Sequence, residues 1–204
     1  MCREFHFAKA KQRREDGDRL VTPLMFTEFG ACFNTVECAT EIKNSADAFD
    51  SQLASWAYWM YKSFADFTTT GGTKEGMFNE DGSPQALKLR AIARSYVPAT
   101  QGTPKHMYFN PDDGTLSFRF AFDAAVQSPS VFYANKDLFY PEGYAVGFFD
   151  WDHAALQAAT APLDSPNYFS ADLSANSGHD EVLAVLVPTQ AAGWSGSASL
   201  GPYQ

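Results

Sequence analysis

The chain has 204 residues, with 15 basic and 24 acidic side chains and a formal net charge of −9. That length holds one domain or two small ones, and a hydrophobic content of 45% excludes a disordered chain. The acidic balance argues against a binder of nucleic-acid phosphates, which needs a concentrated basic face, and the longest strongly apolar run, Val182 to Val187, is far short of the ~20 residues of a transmembrane helix.

The first half has an α/β grammar. Residues 3–19 are charged and loosely helical, with no apolar stretch of the kind that marks a signal peptide. The run Pro23-Leu24-Met25-Phe26, bounded by Thr22 and Gly30, predicts a buried strand. From Glu37 to Leu53 the sequence is polar, with Phe49 and Leu53 four residues apart, and predicts a short helix. Ser55 to Tyr61 is an aromatic strand candidate. Ser83 as cap, Pro84 at the first helical position and Pro98 as stop frame a helix over 84–97, with Leu89, Ile92, Ala93 and Tyr96 as its apolar stripe. This alternation signals parallel β/α architecture over residues 1–98.

After Gly102-Thr103-Pro104 the helical period disappears. Met107 to Phe109 and Leu116 to Phe122 flank Asn110-Pro111-Asp112-Asp113-Gly114, a hairpin signal. Further strands are predicted at 131–134, 143–149, 166–171 and 181–187, so residues 105–204 read as a small antiparallel β-sandwich. The domain boundary is expected near 99–104.

Few residues offer chemistry. Glu28 ends an apolar strand just before the turn at Phe29-Gly30. In a β/α barrel, strand ends of this kind line the active site, and a carboxylate there acts as nucleophile on a sugar anomeric carbon. The alternative is a Glu that caps the next loop or pairs with an arginine. The aromatic content of 15% fits a β-rich core or a sugar-binding surface. In the run Trp56-Ala57-Tyr58-Trp59, core packing is the preferred reading for Trp56 and Tyr58, whereas Trp59 lies on the opposite face by the two-residue period. Gly71-Gly72-Thr73-Lys74 lacks P-loop spacing and reads as a turn. His6, His106, His153 and His179 are scattered without metal-ligand spacing. His179-Asp180-Glu181 reads as a solvated turn, Asn79-Glu80 as the turn before a helix, and Cys32 and Cys38 are close enough in sequence to pair.

The run Thr27-Glu28-Phe29-Gly30-Ala31-Cys32, followed by Ser55-Trp56-Ala57-Tyr58-Trp59-Met60-Tyr61-Lys62-Ser63-Phe64, resembles the endoglycoceramidase branch of glycoside hydrolase family 5. Asp81-Gly82-Ser83-Pro84-Gln85, Arg94-Ser95-Tyr96, Gly102-Thr103-Pro104 and Tyr140-Pro141-Glu142-Gly143-Tyr144 are similar too. The resemblance implies the last portion of a (β/α)8 TIM barrel, strands 7 and 8, followed by a C-terminal antiparallel β-sandwich. It implies hydrolysis of the oligosaccharide–ceramide bond of glycosphingolipids by a retaining mechanism, with no cofactor and no metal. Glu28 would be the nucleophile and Trp59 the platform under the sugar next to the scissile bond. Secretion or a lysosome-like compartment is implied in the same way.

A whole barrel takes about 250 residues, so residues 1–98 accommodate only two of its strands. The family's acid/base Glu lies at the end of strand 4, in an Asn-Glu context that nothing before Glu28 supplies. The chain is therefore expected to be a catalytically incomplete C-terminal part of such an enzyme. The alternative is a non-catalytic accessory protein whose sandwich meets a glycan or lipid surface.

Overall fold

The computed structural model describes residues 2–62 and 75–189. It divides into two units, Met1–Ala93 and Arg94–Gln204. The division falls ahead of residues 99–104, because Tyr96–Ala99 already pairs within a sheet of the second unit. Gly71-Gly72-Thr73-Lys74, together with Ser63 and Phe64, lies outside the described residues.

The first unit is built on a strand–helix–strand crossover. Strands β1 (Met25–Phe26) and β2 (Ser55–Trp56) pair in parallel, Met25 beside Ser55 and Phe26 beside Trp56. Helix α2 (Val36–Ser51) connects them. Thr35 caps α2 by accepting from the Cys38 amide, and Glu37 in the first turn complements the positive end of the helix dipole. The buried face of α2 carries Ile42, Ala46, Ala48 and Phe49, and the Phe49 ring stacks on Phe26 at 3.9 Å. Leu53 lies beyond the helix, past its cap at Gln52.

Helix α1 (Cys2–Leu20) has almost no apolar stripe and buries only Ala10 and Gly17. It is held to α2 by Ala10, which packs with Ala48 and Phe49, and by the His6–Glu41 pair at 2.8 Å. Arg14 adds a third tie, donating twice to the Gln52 carbonyl at the end of α2. A disulfide joins Cys32 to Cys38, with Cα atoms 5.8 Å apart, and so fastens the loop after Gly30 to the first turn of α2.

The last helix, α3 (Ala86–Ile92), is shorter at both ends than its sequence predicts. Ser83 does not cap it, because its amide and hydroxyl both donate to the Asp81 carboxylate. Glu80 sits exposed in the turn closed by the Gly82 amide and the Asn79 carbonyl. At the far end Tyr96 leaves the expected helical stripe for a strand. Lys88 is fully buried in α3, its Nζ donating to the Gly76 carbonyl, and desolvation pushes its pKa down.

The second unit is an antiparallel β-sandwich. One sheet has the order β4 (Gly102–Asn110), β5 (Thr115–Phe122), β10 (Glu181–Pro188), β7 (Tyr144–Phe149). The other has the order β3 (Tyr96–Ala99), β6 (Ser130–Tyr133), β9 (Tyr168–Asp172), β8 (Ala159–Pro162). Phe132 meets Phe148 edge-on at 5.9 Å and Tyr144 stacks on Phe169 at 5.3 Å, which brings the two sheets face to face. Phe118, Phe120, Leu116 and Leu186 fill the layer between them. The run Val182–Val187 is continuously apolar because β10 is central in its sheet and covered on both faces. The β4–β5 hairpin turns through Gly114 at φ +76, as its Asp-Gly tip predicts. A short helix α4 (Lys136–Phe139) precedes Tyr140, whose buried hydroxyl donates to the Gly114 carbonyl at 2.7 Å. Among the described residues, no helix is long and apolar enough to cross a membrane.

Gln101, fully buried between β3 and β4, is the polar hub of the sandwich. Its side-chain amide donates to Val126, Asp172 and Ser174, and its side-chain oxygen accepts from the Leu173 amide. Replacing it as Gln101→Leu strands the Leu173 N–H and the Val126 carbonyl, at an expected cost of about 2 kcal/mol in urea unfolding. A loss below about 0.5 kcal/mol would show that water substitutes freely at the hub. His106 provides a pH dependence. Burial, then the neighbouring Arg119 charge, lowers its pKa. The unfolded chain therefore binds a proton that the folded chain resists as the pH falls below about 6.5, and stability drops in that window. Thermal melts of His106→Gln should show a flatter pH dependence between pH 7.5 and 5.5 than the parent.

Candidate active site

The exits of β1 and β2 are set by their hydrogen-bond ladder. The amides of Ser55, Ala57 and Trp59 donate in turn to the carbonyls of Leu24, Phe26 and Phe29. The donors advance by two residues each time, whereas the acceptors advance by two and then by three. One extra residue is thus accommodated at Thr27-Glu28, an irregularity of the bulge kind, which re-aims side chains at a strand end. Gly30 then bridges to Trp59 at φ +119, where a Cβ would collide with the Tyr58 ring, so glycine is required there.

Phe29 turns its ring into the core, edge-on to Phe49, Trp56 and Tyr58 at 5.2, 5.5 and 5.6 Å. Its neighbour Glu28 is exposed. Among the described residues neither an arginine nor a backbone amide pairs with Glu28. Trp56 and Tyr58 serve the core. The Trp56 indole donates to Asp50 at 2.9 Å, and Tyr58, packed beside Ile42 and Ala91, has its pKa raised by burial.

Trp59 stands at the neighbouring strand exit with 37% of its surface exposed. Its indole N–H donates to the Glu75 carboxylate at 3.1 Å. Glu75 is anchored in turn, because its carbonyl accepts from the Met60 amide and from the Tyr58 hydroxyl. Sequence reasoning misses Glu75, since it belongs to no periodic run and no motif marks it. The arrangement offers an exposed carboxylate one residue from Phe29, whose carbonyl is hydrogen-bonded to the residue that carries a partly exposed, oriented indole. A carboxylate at a strand exit is able to act as nucleophile or general base. A flat indole face suits a sugar ring. Among the described residues no group of three or more His, Cys, Asp and Glu side chains is placed to hold a metal ion.

Comparison with known proteins agrees with the resemblance in the motifs. Residues 94–161 match the glycoside hydrolase family 5 C-terminal domain. Endoglycoceramidase I of Rhodococcus hoagii (strain 103S) is 32% identical over 129 residues, which is 63% of this chain and 22% of that protein. An endoglycoceramidase of Cyanea nozakii is 29% identical over 142 residues, 69% of this chain and 28% of that protein. This chain thus spans under a third of the length of either relative. Among solved structures, the lactosyl-enzyme intermediate of endo-glycoceramidase II from Rhodococcus sp. superposes with a TM-score of 0.62 at 19% identity. That superposition covers 82% of this chain and 33% of the other, more than the second unit alone would supply. Sterylglucosidase 1 of Cryptococcus neoformans shares the fold with a TM-score of 0.69 at 11% identity, over 93% of this chain and 32% of its own. The chain is similar to the C-terminal part of an endoglycoceramidase-like enzyme of glycoside hydrolase family 5, whose C-terminal domain its residues 94–161 match.

Proposed function

We propose that this chain supplies the nucleophile side of a retaining glycosidase that cleaves the bond between oligosaccharide and ceramide in glycosphingolipids. In this reading β1 and β2 are the seventh and eighth strands of a (β/α)8 barrel. The observation that carries it is the juxtaposition at the two strand exits: exposed Glu28 adjoins Phe29, whose carbonyl accepts from the Trp59 amide.

The Glu28 carboxylate attacks the anomeric carbon of the sugar on the non-ceramide side of the scissile bond. The C–O bond to ceramide breaks as a second carboxylic acid protonates the leaving oxygen, giving a glycosyl-enzyme ester. The second group, now a carboxylate, then takes a proton from water, and water displaces Glu28. The two carboxyl groups must lie about 5–5.5 Å apart. The acid/base Glu is assigned to a strand outside these 204 residues, and the chain by itself is expected to be inactive. Trp59, with its ring orientation fixed by Glu75, stacks on the sugar beside the scissile bond. The Cys32–Cys38 disulfide supports placing the enzyme in an oxidising, secretory or lysosome-like compartment.

The test is release of oligosaccharide from a glycosphingolipid by the enzyme with its barrel complete, compared with the Glu28→Gln variant. Because Glu28 is exposed, the variant should melt as the parent does, while kcat/KM falls by at least about a thousandfold. Equal activity in the two proteins would rule Glu28 out as nucleophile.

A further inference from the structure

The sandwich has a cleft of its own, formed where β5, β10 and the turn after β7 meet. Arg119 on β5, Leu183 on β10 and Phe149 on β7 are in register across three neighbouring strands. Beyond Phe149 the chain makes a tight turn, closed by the Asp150 amide to the Ala154 carbonyl and by the Ala154 amide to the Asp150 side chain. His153 completes it at φ +62, and Phe149 and Ala155 bridge beneath it. The turn holds Trp151 outward, 65% exposed. Two adjoining hollows of about 290 and 560 Å³ share Arg119, Asp150, Trp151 and Glu181 as walls, in the size range of small-ligand sites.

The chemistry of the walls narrows the ligand. Asp150, Asp152, Asp180 and Glu181 outnumber the single Arg119, so phosphate and acidic sugars are repelled. The Arg119 guanidinium already lies over the Trp151 ring at 5.4 Å, where a cationic ligand would otherwise sit. What remains is an aromatic surface ringed by acceptors and donors. The acceptors are carboxylates, of which Asp150 is steadied by His179 at 3.5 Å. The donor is the Arg119 guanidinium, which lines both hollows. A sugar hydroxyl both donates and accepts, and the C–H face of a hexose lies flat on an indole.

From this we infer that the sandwich carries a second glycan site, in which Trp151, Arg119 and the carboxylates around them bind a neutral hexose unit. The accessory role weighed for the sandwich thereby gains a location, independent of the chemistry at Glu28. The ring already fixed in a closed turn loses little freedom on binding, which favours the complex.

Titration of the full chain with lactose, followed by NMR or calorimetry, tests the assignment. Saturable binding, on the order of millimolar, is expected in the parent and within about twofold in Leu20→Ala, a change at an exposed position of the first unit. A loss of at least about tenfold is expected in Trp151→Ala, with partial recovery in Trp151→Tyr. Trp151 is exposed, so its variants should keep the parent melting temperature. Vesicles of phosphatidylcholine with and without lactosylceramide separate a glycolipid headgroup from free sugar. Binding only to the lactosylceramide vesicles would assign the hexose to a membrane source, and binding to both lactose and those vesicles would assign it to the sugar alone. No lactose binding in either form, binding unchanged in Trp151→Ala, binding lost only in Trp59→Ala, or saturation by choline in place of lactose would each overturn the proposal.

Discussion

Phe29 is held from two sides, by its ring among Phe49, Trp56 and Tyr58 and by its carbonyl, which accepts from the Trp59 amide at 2.8 Å. With both ends committed, its neighbours have little choice. The residue before it is left at the surface, and the residue after it must take a positive φ against the Tyr58 ring. The candidate site is therefore a by-product of core packing: four aromatic rings decide where a carboxylate and an indole emerge. The one-residue excess in the acceptor strand ahead of Phe29 is absorbed in the same place, where a bulge costs the small sheet least.

The sandwich is organised differently. Its apolar layer is aromatic and continuous, but the loops at one end are joined by a single buried amide, Gln101, which links the β3–β4 connection to residues near Val126 and to the segment 172–174. Buried amides of this kind are stable only when each donor and acceptor is matched. Gln101 meets that condition with partners drawn from two separate segments, at Val126 and at 172–174. The central strand β10, covered on both faces, sets the register of β5 and β7 on either side of it. That register aligns Arg119 with the root of the Trp151 turn.

Much of this was legible in the sequence where a local signal and the tertiary structure agree. The Asp-Gly hairpin tip and the six-residue apolar run of β10 each carry their own instruction. Glu28 and Trp59 are singled out by the motifs around them, and the structure leaves both of them accessible at the surface. Ser83 misleads because Asp81, two residues earlier, competes successfully for its amide and hydroxyl. Tyr96 has the right spacing for a helix, but pairing with Tyr133 outweighs propensity. Strand β8, Ala-Thr-Ala-Pro, has no periodicity to read. Glu75 and Trp151 acquire their meaning only from partners distant in sequence, Trp59 and Arg119, so nothing local announces them.

The outer strands of the two sheets share one further feature. β3 contains Pro98, β4 contains Pro104 and β8 ends at Pro162, so three of the four sheet margins carry a residue with no N–H to offer. An open margin is a template on which another chain grows a strand, and proline interrupts that template. A sandwich so rich in phenylalanine would otherwise be prone to zipper into extended aggregates when concentrated. Resistance to strand addition is thus written at its borders, in residues that contribute nothing to the core.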